Sequence, residues 1–593
     1  MTQLSPSTAL RNGLRLLRVL VPLSLILTIY LYLFPLFLQC AFPLPQPDNT
    51  GVDTGSAGFR ETARLHYSSA DGGRQLAPFR LLALGDPQLE GDTSIPNARG
   101  KSFPHLSSLI SRLSFRTAHH SLRERVRQSL HDTVDFYFED IPNTIESIRK
   151  RIDLFGNDFY LAHIYRTVRW WTQPTHITVL GDLVGSQWLD DDEFDRRSQR
   201  YWTRVFRGGE RVPDDVARLP GEDYDLAGVL GQFGDNETAE AWRRRVINVA
   251  GNHDIGYAGD INDERFSRFE RAFGKANYEL RFELPVTNTT LSATLYDEQT
   301  NPDSPRLVPE IRVVVLNDMN LDTPALSTPL QDATYAFVNS VINTASAVEF
   351  AGHLTVVLTH IPLYKPEGVC VDAPFFDFHE HDGTLKEQNQ LSADASRGFL
   401  EGIYGMNGDR NAPGAGRGRP GVILNGHDHE GCDTWHFINQ SLGGEDRKWE
   451  VRRWREAKEA GLPGREGLPG IREVTVRSMM GDFGGNAGLL SAWFDEKAWE
   501  WRFEYATCAM GTQHLWWLVH ILDLATVLVA VGTGVLAVVG VFGLDKSQPV
   551  PGQDVKNGSA SGKKLGKRGA VNGCEVVKKL DNGAVKGSEV NQL

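Results

Sequence analysis

The chain has no surplus of positive charge. Its 62 Lys and Arg stand against 75 Asp and Glu, a formal net charge of −13 over 593 residues. The ends run against that trend: residues 1–18 carry Arg11, Arg15 and Arg18 and no acid, while residues 545–593 carry nine basic side chains against five acidic ones. Removing their +3 and +4 leaves −20 for the rest. A nucleic-acid partner is excluded on that ground, because phosphate backbones need a basic face. Cysteine is scarce too, with only 5 residues. Cys40 and Cys508 lie near long apolar runs, Cys574 is in the tail, and Cys370 and Cys432 each follow a histidine motif. An oxidising compartment would let the last two pair, but sequence alone does not fix connectivity.

Charge is missing altogether from residues 19–42, VLVPLSLILTIYLYLFPLFLQCAF. About 20 apolar residues at ~1.5 Å each cross a hydrocarbon layer. The run is too long for a signal peptide and no clear small-residue cleavage site follows it, so an uncleaved transmembrane helix is expected. Residues 515–544 form a second such run, with Asp523 its one acid, His520 its one histidine, and Trp516 and Trp517 at one end. That is where an interfacial aromatic belt belongs, and the Gly, Ala and Val content suits a spanning helix. Both basic ends read as cytosolic, which puts residues 43–514 across the membrane in a lumen. The sequons at Asn236, Asn288 and Asn439 are compatible with a glycoprotein there.

Residues 43–78 are rich in Pro, Gly, Ser and Asp and read as a linker, and residues 545–593 lack apolar periodicity and read as a disordered tail. Residues 411–421 and 443–470 read as surface insertions. Between them, residues 79–510 form an α/β domain in which five short apolar runs each stop at a polar cluster. Residues 80–84 precede Gly85-Asp86, 177–180 precede Gly181-Asp182, and 246–250 precede Gly251-Asn252-His253-Asp254. Residues 354–358 precede Thr359-His360, and 422–424 precede Asn425-Gly426-His427-Asp428-His429. Buried strands read as continuous apolar runs, and α/β sheets gather ligands beyond their carboxyl ends, so these side chains are expected to converge. The interval 94–175 is mostly helical in pattern, with apolar residues at three- and four-residue spacing in 123–138 and 145–167. It reads as an insertion that roofs the site. Asn157, Asp158 and His163 within it either touch substrate or serve as caps and packing.

The strand-end residues suit a pair of hard divalent cations. Such ions take carboxylate, amide oxygen and imidazole, and two of them about 3.5–4 Å apart need a bridging ligand. Asp86, Gln88, Asp182, Asn252, His360, His427 and His429 supply that set. Two other polar runs carry plainer readings: 190–193 (DDDE) as a solvated helix start, and 379–382 (HEHD) as a polar loop with no apolar strand before it. His119 and His120 read as surface residues.

The series D-x-Q, GD, GNHD, TH and GHDH resembles the calcineurin-like metallophosphoesterases. The resemblance implies a two-sheet β-sandwich flanked by helices, in four layers. It implies one metal held by Asp86, Gln88, Asp182 and His429, and another by Asp182, Asn252, His360 and His427, with Asp182 bridging. Gln88 stands where histidine is commoner and is read as a neutral oxygen ligand. His253 would face the scissile phosphate and assist the leaving group, with Asp254 orienting it, while water activated between the metals attacks phosphorus in line.

A narrower resemblance rests on GDPQLEGD (85–92), the paired membrane anchors and MMGDFGGNAGLL (479–490). These look like the fungal branch of the GPI-anchor-remodelling enzymes. That branch implies a manganese-dependent phosphodiesterase, with magnesium, iron or zinc as alternatives. It would remove ethanolamine phosphate from a mannose of the anchor glycan, in the endoplasmic reticulum or early Golgi membrane. GPI-anchored proteins or glycolipids would be its substrates and cargo receptors its possible partners. The glycines of 479–490 either form a turn lining the site or a plain strand connection. Two other readings stand beside this one, a phosphomonoesterase on the same scaffold and a non-catalytic cargo or membrane adaptor. The adaptor would need missing ligands, and only Gln88 departs from the pattern.

Overall fold

The structure, a computed structural model, describes residues 6–45, 54–67, 76–96, 98, 100–114, 121–221, 226–230, 236–285, 308–349, 352–443, 447–511 and 513–544. The tail 545–593, Cys574, Asn288, His119 and His120 lie outside these residues.

The apolar runs form the strands of two sheets. The first comprises β1 (Phe79–Leu84), β2 (His176–Leu180), β3 (Glu210–Arg211), β5 (Arg245–Val249), β15 (Asn486–Asp495) and β16 (Glu500–Ala509). Its order is β16-β15-β1-β2-β5-β3. The second comprises β4 (Gly228–Val229), β6 (Tyr278–Glu283), β7 (Glu310–Val315), β8 (His353–Leu358), β11 (Gly421–Asn425), β12 (Cys432–Ile438), β13 (Trp449–Arg453) and β14 (Gly470–Thr475). Its order is β13-β12-β14-β11-β8-β7-β6-β4. β9 (Phe376–Phe378) and β10 (Leu385–Gln388) make a separate hairpin, and its connecting turn holds His379–Asp382.

Strand alternation sorts side chains into layers. Leu81 and Ala83 of β1 join Val249, Val313, Val356 and Leu424 in a core between the sheets. Leu82 and Leu84, on the opposite face, pack with Tyr160, Leu161, Ile164 and Val168 of the long helix Ile141–Thr172. On the far side of the second sheet, Val357 and Ile423 pack with Phe337 and Val341 of helix Thr328–Asn343. Helix, sheet, sheet and helix stack in the expected four layers. β1, β2 and β5 run parallel, as do β7, β8, β11 and β14, so the strands that carry the site present their carboxyl ends at one edge of each sheet.

The two membrane helices differ in extent from the apolar runs. The first is Pro6–Tyr32, with a span-like stretch of Thr8–Tyr32. The chain leaves it before Pro35, and Cys40, Phe42 and Leu44 are buried in the domain. The run 19–42 therefore joins the end of a span to a piece of soluble core, which hydropathy does not distinguish. The second helix is Gln513–Leu544, with a span-like stretch of Gln513–Val539. Helices of this length and composition give the chain its membrane association. They pack together: Thr28 Oγ1 donates to Asp523 Oδ2 at 2.9 Å, Ser24 Oγ also donates to that carboxylate, and a Cβ on Gly13 would meet Thr533. Hydroxyl donors on one helix thus satisfy the only acid of the other, as low-dielectric surroundings require.

The stretch read as a linker contains a helix, Thr54–Tyr67, docked on the domain. Phe59 lies 5.7 Å from the Trp171 ring and His66 Nε2 is 2.9 Å from the Trp171 carbonyl. The Pro and Gly on either side outweighed a short amphipathic pattern in the composition. Cys370 and Cys432 form a disulfide, and so do Cys40 and Cys508, a pairing across 468 residues that no local pattern announces.

Candidate metal centre

Glycines let the strand ends close on one another. A Cβ on Gly181, where φ is +92°, would stand 2.1 Å from His360 Nδ1. One on Gly251 would stand 2.2 Å from the Asp182 amide nitrogen. The GD and GNHD turns therefore need glycine for close approach as much as for conformation. The polar residues beyond them carry strain. Asp86, Gln88, Asp182 and His427 all have positive φ, +46°, +40°, +50° and +70°. Non-glycine residues pay roughly 1–3 kcal/mol for such backbone, and it persists where surrounding structure and function enforce it.

All seven candidate ligands come together. Donor atoms of Asp182, His360 and His427 lie within 4.8 Å of one another, as do those of Asp86, Asp182 and His429. Asp182 belongs to both groups. Asn252 joins the first, its Oδ1 standing 3.0 Å from His360 Nε2 and 3.0 Å from His427 Nδ1. Gln88 joins the second, its Nε2 donating to Asp182 Oδ2 at 3.0 Å and lying 3.1 Å from His429 Nε2. Gln88 thus turns its amide nitrogen, not its oxygen, toward the cluster. Binding through Oε1 takes a half-turn of the carboxamide, after which the same position faces the same neighbours.

Electrostatics favour cations here. Asp86 and Asp182 are both fully buried, and Asp86 Oδ2 has no partner while Oδ1 accepts from the His427 amide at 3.0 Å. Burial, with the Asp182 charge, pushes the Asp86 carboxyl up to about 8. Burial opposes ionisation of Asp182 as well, but His253 and His360 outweigh it and hold that carboxyl well below the usual range. His360 is raised to about 10 because Asp182 and Asp86 overcome burial, and its Nδ1 is anchored 2.8 Å from the Leu180 carbonyl. His427 falls to about 3 through burial and the neighbouring His360, and burial also lowers His429. Two buried carboxylates, two oxygen-bearing amides and three imidazoles, with an orphaned carboxylate oxygen, fit two divalent cations.

The two residues expected to assist the leaving group divide. His253 is 34% exposed and faces the cleft, its Nε2 3.7 Å from Asp182 Oδ2. Asp254 does not orient it. The Asp254 oxygens accept from the Val184 amide at 3.0 Å and the Gly251 amide at 2.9 Å, and His253 Nδ1 is left without a partner. Asp254 is a positioning residue that braces two ligand loops. Burial, then the Asp182 charge, raises its carboxyl to about 7. Asp158 and His163 do not reach the ligands: Asp158 is buried in ion pairs with Arg200 and Arg204, and His163 meets Tyr32 of the first membrane helix. Asp190 caps helix Asp191–Arg200 through the Glu193 amide, as a helix start should.

The ligands floor a cleft of about 390 Å³ whose walls hold residues that strand-end reading missed. Asp372, Glu387, Asp428 and Glu430 form an acidic rim, with Glu430 paired to Arg477 at 3.2 Å, and no Lys or Arg is itself among the described residues that line the cleft. Asp372 and Glu430 arrive on loops and Glu387 on the short hairpin strand β10, where no continuous apolar run marks them, while Asp428 belongs to the GHDH cluster. Phe483, from the glycine-rich turn, forms the lip at 4.9 Å from the His429 ring. That turn is bound to the membrane side: a Cβ on Gly481 would stand 2.5 Å from Gln513 Cβ, at the start of the second membrane helix.

Whole-chain comparison agrees with this geometry. The chain is 30% identical over 556 residues to Protein TED1 of Saccharomyces cerevisiae, covering 85% of this chain and 95% of that protein. It is 28% identical over 343 residues to an uncharacterized protein of Schizosaccharomyces pombe, covering 57% of this chain and 63% of the relative. It is 20% identical over 288 residues to Metallophosphoesterase 1 of Danio rerio, covering 48% and 60%. No family model matches the chain. With two sheets bringing the D-x-Q, GD, GNHD, TH and GHDH side chains to one buried cluster, and with relatives of this kind, the chain belongs to the calcineurin-like metallophosphoesterases.

Proposed function

We propose that this phosphoesterase is a phosphodiesterase that removes ethanolamine phosphate from a mannose of the GPI-anchor glycan. The observation that carries the reading is the acidic rim of Asp372, Glu387 and Asp428 around a metal-type floor, Glu430 being already paired with Arg477. A rim of carboxylates repels a phosphomonoester dianion. It attracts the ammonium of an ethanolamine phosphodiester, whose own net charge is near zero. The lip supports the same reading, because the turn that carries Phe483 meets, through Gly481, the membrane helix that would lie beside a lipid-anchored substrate. Two disulfides suit the oxidising lumen of the endoplasmic reticulum or early Golgi, with both membrane helices spanning and the catalytic domain lumenal. GPI-anchored proteins and the receptors that collect them are the partners this reading implies.

These ligands would hold two divalent ions, manganese in this proposal, which would supply polarisation of the phosphoryl group and a lowered pKa of water. Asp182 sits between both donor groups and fixes their spacing. The Leu180 carbonyl holds the His360 ring at Nδ1 and leaves Nε2 for the ion. The Gln388 carbonyl, 3.0 Å from Nε2, holds His427. His253, at the open side, delivers a proton from its ring to the leaving oxygen.

The test is mass spectrometry of GPI glycans from cells carrying Asp182→Asn. Retained ethanolamine phosphate is expected, and an unchanged glycan profile overturns the substrate assignment. A diester reporter assay with manganese separates the ester class, since a strong monoester preference would overturn the phosphodiesterase reading.

A further inference from the structure

The long helix Ile141–Thr172 crosses the ends of both membrane helices. His163 meets Tyr32 at the end of the first, ring to ring at 5.0 Å, and Gly156 receives the Trp517 indole near the start of the second. Seven residues separate those contacts, about 10 Å of helix, which matches the ~8–10 Å spacing of two packed helices. The long helix therefore runs transverse to the membrane pair, along the bilayer surface. Its first half, residues 141–155, continues past the second membrane helix for roughly 20 Å.

That half carries an uncovered apolar stripe. Ile145, Ile148, Ile152 and Phe155 are each at least 55% exposed. At about 100° per residue they share one sector of about 100° with Gly156, Phe159 and His163. The stripe is thus the same face that packs on the membrane helices. Phe155 and Phe159 line a groove with Ile521 and Leu524, residues of the second span. Helix Leu122–Asp135 adds Leu122, Val126, Leu130 and Val134, all exposed at four-residue spacing, and Phe138 follows at 80%. The Asp140 carboxylate accepts from the His105 and Leu106 amides, and Arg112 pairs with Asp132 at 3.0 Å, so helices Pro104–Leu113, Leu122–Asp135 and Ile141–Thr172 form one unit.

The geometry points to a membrane-seated helical insertion: residues 122–155 lie in the interface of the bilayer leaflet, with phospholipid acyl chains covering their apolar face. Contiguous exposed apolar surface of this extent needs a partner. Continuity with Ile521 and Leu524 selects lipid, because a protein covering the stripe would have to displace the lipid beside the second span. The insertion then acts as a third membrane contact, which fixes the tilt of the domain where two helices at one corner would leave it free. An amphipathic segment with apolar residues on one side and charge on the other behaves in this way at an interface.

The experiment uses the unmodified full-length protein in phosphatidylcholine vesicles containing a phosphatidylcholine with a diazirine on its acyl chain. After irradiation, lipid adducts are mapped by peptide mass spectrometry. Adducts are expected on peptides covering 122–155 and on both membrane helices, and none on the turn at Lys497, at the opposite end of β15 from Asn486. Adducts confined to the two membrane helices overturn the inference, as does coverage of the stripe by a protein cross-link. Absence of adducts on the helices themselves overturns the membrane reading, which separates the two failures. The double substitution Ile148→Glu, Ile152→Glu should remove the 122–155 adducts and leave labelling of the helices unchanged.

Discussion

Asp182 Oδ1 lies 3.3 Å from His360 Nε2, so the end of β2 in one sheet meets the end of β8 in the other. The metal-type site is the seam between two sheets. Asp182 belongs to both donor groups, Asp86 to one. Asp182→Asn should therefore abolish binding of both ions and lower turnover by on the order of 10³ or more. Asp86→Asn should reduce occupancy on the His429 side first. Metal content of the purified protein decides this, and equal loss from the two variants would remove Asp182 from the bridging position.

His253 and Asp254 are adjacent in sequence and opposite in role. His253→Ala should lower turnover by roughly 10²–10⁴ with metal content and melting temperature retained. Asp254→Ala removes the acceptor of two buried amides and should cost about 2–4 kcal/mol of stability. Thermal unfolding beside a steady-state assay separates them. An Asp254→Ala protein with native stability and a His253-like kinetic defect would restore the orienting role.

What the sequence reveals follows from how each feature is encoded. Asp86, Asp182, Asn252 and the histidines were legible because each stands directly after an apolar run, and a strand's end is a local property. The four-layer architecture came from the same runs together with the resemblance they carry. Asp372 and Glu387 were invisible because a loop and the short hairpin strand β10 deliver them to the cleft without a periodic signal, and the turn that brings Phe483 was legible only as one of two readings of its glycines. The Cys40–Cys508 bond and the Asp523–Thr28 contact depend on pairing of the two terminal helices, which no local window contains. Motif order predicts only that Asp254 is adjacent to His253, whereas its hydrogen bonding is settled by the turn that places its carboxylate on backbone amides.

A buried charged network behind the GHDH loop sets the acid limit of the fold. Glu473 is fully buried, 2.8 Å from Lys365 Nζ and 2.6 Å from His436 Nε2, and also accepts from Asn425 Nδ2 at 2.7 Å. Burial alone would raise its carboxyl, but Lys365 and His436 hold it far below the usual range. A depressed carboxyl contributes stability that is complete above the unfolded value of about 4.3 and is lost as pH falls below it. Glu473→Gln should flatten that acid limb, and at neutral pH it should cost about 3–5 kcal/mol because buried Lys365 loses its partner. Denaturation midpoints measured from pH 7 down to about 3 test the sign, and parallel curves for the two proteins would contradict it.

The two disulfides should exchange rank with the state of the membrane helices. Cys370–Cys432 closes a 62-residue separation, worth about 4 kcal/mol in the chain-entropy treatment. Cys40–Cys508 closes 468 residues, nominally about 6 kcal/mol. While the helices stay paired in a bilayer, however, Tyr32 and Trp516 already line one groove, and the bond closes only the short segments from each to its cysteine. A loop of about 15 residues is worth about 3 kcal/mol. In lipid nanodiscs, Cys40→Ser with Cys508→Ser should therefore destabilise the domain less than Cys370→Ser with Cys432→Ser. In a denaturing detergent that separates the helices the order should reverse. Limited proteolysis of both double variants in both media gives the ranking. If the 468-residue bond dominates in nanodiscs as well, the helices are not holding that loop closed, and the Ser24 and Thr28 contacts to Asp523 do not persist in lipid.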